Sequence, residues 1–222
     1  MAIDLSTPIA SAAEFRDRVG QLSTDDDSTI SALLLTATRV VERRIGVAPG
    51  MLLPQTSLTF TFSAEGGSRL RLRDERGFQY LLRAITADSL KIDSDLDGSF
   101  DDYLLDTADA WVSGFPINAA TFNEPWTAID LVPITSATIT AWPDAANCVQ
   151  IVGDWGVAAS SAVRGALKER VIGIVRELIE AHHAGVAQSY TAMEDAINTI
   201  PKARSLMAMI EREYNYRIPM FG

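Results

Sequence analysis

Apolar residues recur with two different periods along this chain, and the changes of period divide it into stretches. Ile30, Leu33, Leu34, Ala37, Val40, Val41 and Ile45 follow helical spacing, while Thr38, Arg39, Glu42 and Arg43 fall on the opposite side. Asp25 to Ser28 supply candidate N-caps, and Gly46, Pro49 and Gly50 stop the pattern, so a helix is predicted over 28–45. Ahead of it, residues 1–27 read as an N-terminal arm, with material for a short helix from Ala12 to Val19.

From residue 52 the period becomes two. Leu58, Phe60 and Phe62 alternate with Ser57, Thr59 and Thr61, and Leu70 and Leu72 alternate with Arg69, Arg71 and Arg73. Turn residues (Glu65-Gly66-Gly67, Arg76-Gly77, Pro143-Asp144) punctuate the region. Strands are predicted at 56–62, 68–73, 78–85, 88–93, 101–106, 128–133, 137–142 and 148–153. Helical spacing returns with Val163, Ala166, Leu167, Val171, Ile174, Val175, Leu178 and His182, giving a long helix over 161–184. A last helix fits 202–213, with Pro201 at its start.

An isolated amphipathic helix at 28–45 has nowhere to bury its apolar stripe. The economical solution packs it against the helices that follow residue 160. The expected fold class is α+β. A small helical bundle (28–50 with 154–222) carries an inserted antiparallel β-rich domain (51–153).

Composition narrows the function classes. Of 222 residues, 47 % are apolar, which supplies material for a packed core. The formal net charge of −10 is a poor basis for general binding to phosphate backbones. A lone Cys148 excludes an intrachain disulfide framework and fits a protein made in a reducing cytoplasm. No apolar run reaches the ~20 residues that span a bilayer, and the first residues lack the pattern of a secretory signal.

One local motif carries metal chemistry. Asp93, Asp95, Asp97, Ser99 and Asp101 place oxygen ligands at relative positions 1, 3, 5, 7 and 9, with Gly98 at 6 for a sharp bend. Position 12 is Leu104 and the flanks read as strands, so this is no EF-hand; it is similar to the calcium loops that join two strands in integrin-type propellers. The segment 88–109 holds eight Asp and one Lys, and a hard dication (Ca2+) would relieve their mutual repulsion. The alternative is a solvated acidic hairpin that uses Asp and Gly because turns favour them.

Other candidates are weaker. Arg69, Arg71 and Arg73 share a strand face and read as edge-protecting charges before contact points for an acidic neighbour or for nucleic acid, the last disfavoured by nearby Asp74 and Glu75. His182 and His183 are adjacent on a helix, where their side chains diverge by about 100° and chelate one metal poorly. The expectation there is a core-edge His182 and an exposed His183. Cys148 reads as a small buried residue. No HExxH, nucleophile elbow, Walker loop or GxGxxG occurs, and no catalytic residue is assigned.

Three segments together resemble the head–tail connector (adaptor) proteins of long-tailed double-stranded DNA bacteriophages. ISALLLTATRVVERRIGV (30–47) resembles that family's opening helix. VQIVGDWGVAASSAVRGALKERVIGIVRELIEAH (149–182) is similar to its strand, Gly-containing turn, small-residue loop and long helix, with Ser161-Ala162-Val163 where many members carry Pro. ARSLMAMIEREYNYRIP (203–219) resembles the closing helix and its Tyr-Arg pair. The resemblance implies a structural virion protein, made in the host cytoplasm and placed in the neck. It implies a homo-oligomeric, typically dodecameric ring beneath the portal protein, with the next neck or tail connector protein below. Double-stranded DNA would pass through the bore without sequence-specific binding. Ring contacts are expected from Val163, Leu167 and Val171 and from the apolar tail Arg217, Ile218, Pro219, Met220 and Phe221. The alternative reading is another neck or tail-completion (stopper) protein, or a non-phage β-domain interaction module.

Overall fold

A computed structural model describes residues 3–20, 27–100, 103–105, 112–115, 124–131, 141–184 and 193–214. The fold is α+β, with N-terminal helices, central antiparallel sheets, and C-terminal helices that pack on the N-terminal ones. Two compact units result: Met1–Ile3 with Leu53–Ser161, and Asp4–Leu52 with Ala162–Gly222.

The second unit is helical. Helix α1 spans Ala12–Val19, α2 Asp27–Ile45, α3 Ala162–His183, α4 Met193–Thr199 and α5 Pro201–Glu213. A capping box starts α1: the Ser11 side chain accepts the Glu14 N–H, and the Glu14 carboxylate accepts the Ser11 N–H. The apolar stripe of α2 is buried along its length (Ile30, Leu33, Leu34, Ala37, Val40, Val41, Ile45) and α2 packs against α3. Each of the Ile, Leu and Val side chains among them contributes roughly 1.5–3 kcal/mol on leaving water. Helix α5 packs on α3 through a face that includes Ala203, Met207 and Ile210.

Three local readings differ from this outcome. The segment read as an arm contributes Ile9, Ala10 and Phe15 to the core, because its capped helix has an apolar side to bury. Thr38 and Glu42, assigned to the polar side of α2, are both fully buried. The Thr38 hydroxyl donates to the Leu34 carbonyl and accepts the Ile9 N–H, so the N-terminal segment satisfies it. Helix α4, too short to show a period, was not foreseen.

The first unit holds two antiparallel sheets. Strands β1 (Gln55–Glu65), β7 (Asp144–Trp155), β3 (Leu82–Ile92) and β4 (Tyr103–Leu105) form one, in the order β1-β7-β3-β4. Strands β2 (Arg69–Arg71), β6 (Ala128–Leu131) and β5 (Val112–Phe115) form the other, in the order β2-β6-β5. The strands expected at 78–85 and 88–93 are largely one strand, β3. Its pairing with β7 shifts register between Ile85 and Leu90, and that irregularity is what the polar interruption at Thr86 to Ser89 encodes. The strand expected at 137–142 lies mostly outside the described residues, while Trp142 is buried and donates its indole N–H to the Ser68 carbonyl.

Strand β7 is central. Trp155 at its end is fully buried, donates its indole N–H to the Leu58 carbonyl at 2.9 Å, and meets the Phe60 ring edge-on at 4.8 Å. Tyr80 closes the cluster, 4.7 Å from the Phe60 centroid. Gly153 pairs with Leu58 on one side and Ile85 on the other, and a Cβ there would collide with the backbone carbonyl oxygen of Ala84. Backbone cannot yield as a flexible side chain does. Gly153→Ala is therefore expected to destabilise the protein by about 2–4 kcal/mol, read as a lowered urea midpoint. A midpoint within error of the wild type would refute that close approach.

Candidate functional site

The acidic segment is the loop between β3 and β4. Ile92 pairs with Val149 of β7 and with Tyr103 of β4, so both flanks of the loop are strands, as its sequence context suggested. Asp93 follows directly. Its N–H donates to the Cys148 carbonyl, which extends the β3–β7 ladder and holds the residue in the sheet margin. Its side chain therefore starts from a buried position, whereas Asp95 and Asp97 are exposed.

The loop folds around its own carboxylates. Asp93 Oδ2 accepts the Gly98 N–H at 3.0 Å, Asp95 Oδ1 accepts the Asp97 N–H at 3.2 Å, and Asp97 Oδ1 accepts the Ser99 N–H at 2.7 Å. Gly98 adopts φ +90°, a conformation that a residue with a Cβ takes only under strain. One carboxylate oxygen from each of Asp93, Asp95 and Asp97 lies within 4.8 Å of the others. The structure thus brings together three of the five residues singled out as metal ligands and orients the Ser99 N–H toward one of them. Asp101 lies outside the described residues.

The expected ring contacts fare differently. Leu167 and Val171 are fully buried inside the helical unit, which corrects their assignment to an interface between chains. From Leu167 to Leu178 the stripe of α3 is buried within the helical unit, where α3 packs on α2 and α5. Val163, nearer the start of α3, is half-buried. Arg217, Ile218, Pro219, Met220 and Phe221 lie outside the described residues.

Two of the three arginines on the strand face are paired locally. Arg69 makes a two-pronged ion pair with Asp130 across the β2–β6 pair, at 2.7 and 2.8 Å, and Arg73 reaches Glu65. His182 and His183 are both exposed, so His182 stands clear of the core edge expected for it. Cys148 is fully buried, its thiol donates to the Ala145 carbonyl, and burial pushes its pKa above the ordinary 9.0. No described helix is long and apolar enough to cross a membrane.

Sequence reasoning missed Glu42. Its Oε1 accepts the N–H groups of Gly50 (2.9 Å) and Leu52 (3.3 Å), and its Oε2 accepts Arg39 Nη1 at 2.6 Å. The side chain thereby fastens the turn that ends α2. A signal was present in the Pro49-Gly50 turn, whose buried N–H groups require acceptors, but nothing in the periodicity identified the acceptor. Burial raises the Glu42 pKa above its ordinary 4.5, outweighing the opposing hydrogen bonds from Arg39, Gly50 and Leu52.

No protein-family model matches this chain, and no curated protein matches it.

The raised Glu42 value sets a direction for stability against pH. Between 4.5 and the folded value, the folded protein keeps a proton that the unfolded chain has released. The contribution is full below pH 4.5 and is lost as pH rises through the folded value. Wild-type stability should therefore fall relative to Glu42→Gln over urea titrations run from about pH 4 to about pH 7. Parallel curves would show that Glu42 ionises as it does in water. Glu42→Ala, which strands two N–H groups, should cost about 2–4 kcal/mol near pH 4 and less as pH rises.

Proposed function

We propose that this chain is a structural virion protein, a head-to-tail adaptor that forms a ring under the portal and joins the capsid to the tail. The observation that carries the reading is the packing of α2 against α3 and α5 in one helical unit. These are the three segments whose sequences resemble the adaptor family, and they lie far apart in the chain. A strand unit inserted between them is the arrangement the resemblance implies.

In this reading the helical unit is assembled before it meets a neighbour. Its apolar stripes are consumed internally, so contacts between neighbours fall to its outer surfaces, to Val163, and to the apolar tail Arg217 to Phe221. A tail of that composition gains burial on reaching a neighbouring chain, which offsets the entropy lost on ordering. The excess of acidic residues (29 against 19 basic) gives a bore that repels the DNA backbone, so the genome slides through without adhering. The role is mechanical, and the chain acts by holding the portal and the next neck component in register.

Electron microscopy of the purified chain, alone and mixed with the portal protein of the same particle, tests the reading. The expected result is a ring seated on the portal. Deleting residues 217–222 should leave the monomer folded and abolish the ring. Linear DNA should not be retarded by the free chain at ~150 mM salt. A chain that never contacts the portal, or that occupies a lower position in assembled particles, would overturn the adaptor assignment in favour of a stopper or tail-completion role.

A further inference from the structure

We infer that the β3–β4 loop is a binding site for one calcium ion, held by Asp93, Asp95 and Asp97. This stands apart from the adaptor reading and does not depend on it.

Asp93 carries the inference. The residue is only 4 % exposed, and its Oδ1 is buried with no hydrogen-bond partner among the described residues. Its other oxygen is already committed to the Gly98 N–H. A buried carboxylate oxygen without a donor or a cation is costly, and folded proteins seldom retain one without a ligand to answer it. The carboxylate is held in place by its bond from the Gly98 N–H, on a backbone tied to the Cys148 carbonyl at the end of the ladder.

The surroundings supply the rest of a hard-cation site. The three carboxylates each offer an oxygen within 4.8 Å of the others, a spacing at which like charges repel. Two oxygens bound at about 2.4 Å on opposite sides of one calcium lie about 4.8 Å apart, so the span suits a single shared ion. The donor set is all oxygen, which excludes a preference for soft or imidazole-loving metals. Two of the three residues are exposed, so water can complete the six to eight ligands that calcium takes in flexible geometry. Magnesium demands near-octahedral geometry and dehydrates reluctantly, and a loop with one buried and two solvent-facing carboxylates suits calcium better.

The test uses the full chain, stripped with EDTA and titrated with calcium chloride in a calorimeter, with melting curves in parallel. One calcium should bind per chain, and ~1 mM calcium should raise the melting temperature by about 3 °C or more. The double variant Asp95→Asn/Asp97→Asn alters only exposed side chains and should fold normally while losing at least tenfold in affinity. Asp93→Asn should abolish the calcium shift and, in EDTA, melt at or above the wild type, because it removes an unanswered buried charge. The absence of binding heat and melting shift would overturn the inference. So would an undiminished response in the double variant, or an equal shift from magnesium chloride at the same concentration. A negative result here leaves ring formation on the portal untouched, and a missing ring leaves calcium binding untouched.

Discussion

The antiparallel pairing of β1 with β7 is the constraint on which the remainder of the strand unit is assembled. Gln55, where β1 begins, is paired with Trp155, where β7 ends. The chain therefore enters and leaves this unit at one place, which is the condition for inserting a hundred residues between two helices that must still share a core. The pairing is reinforced at the same spot by the Trp155 indole bond to Leu58 and by the Phe60, Phe62 and Tyr80 rings packed around it. Strand β7 then serves β3 on its other edge, and β3 in turn positions the loop that begins at Asp93. An error at the β1–β7 margin would propagate to the acidic loop through two ladders.

Among the described residues most buried polar side chains have partners, while Asp93 Oδ1 and the Ser161 hydroxyl have none. Gln79 is buried with its amide donating to the carbonyls of Leu72 and Thr127, which ties the β2 end to the segment before β6. Thr38 and Glu42 are likewise answered within the helical unit. Among the buried atoms without a hydrogen bond in the described residues, Asp93 Oδ1 is the one that belongs to a carboxylate, and it calls for an explanation. Glu42 and Asp93 show that burial alone does not identify a site. The first is surrounded by donors and is a fastening; the second faces other carboxylates.

Much of the architecture was legible because long elements have long periods. Nineteen residues of α2 and twenty-two of α3 give the apolar stripe enough repeats to fix both type and burial, and β1 alternates over its central residues. What the pattern missed is short or polar. Helix α4 has only seven residues, less than two full turns beyond its ends. The interruption in β3 looks like a break between strands because a bulge and a turn use the same residue types. Of the acidic loop, the ligand spacing and the strand flanks could be read in advance, since both are linear features. The burial of Asp93 could not, because it arises from the Cys148 carbonyl more than fifty positions away. Leu167 and Val171 illustrate the converse error: an apolar stripe on a helix does not say which surface it meets, and here it meets its own chain.

The discontinuity of the helical unit in sequence has a consequence for synthesis. Helix α2 emerges complete at Ile45, yet α3 does not begin until Ala162. At ~5–20 residues per second, α2 waits on the order of ten seconds for the helix that covers its greasy side. During that interval α1 and the segment before it, with Ile9 and Phe15, are already available to shield it. The short capped helix that precedes α2 thus has a temporal role as well as a structural one: it is a provisional cover, made before the surface it shields, for a face whose larger partners arrive much later.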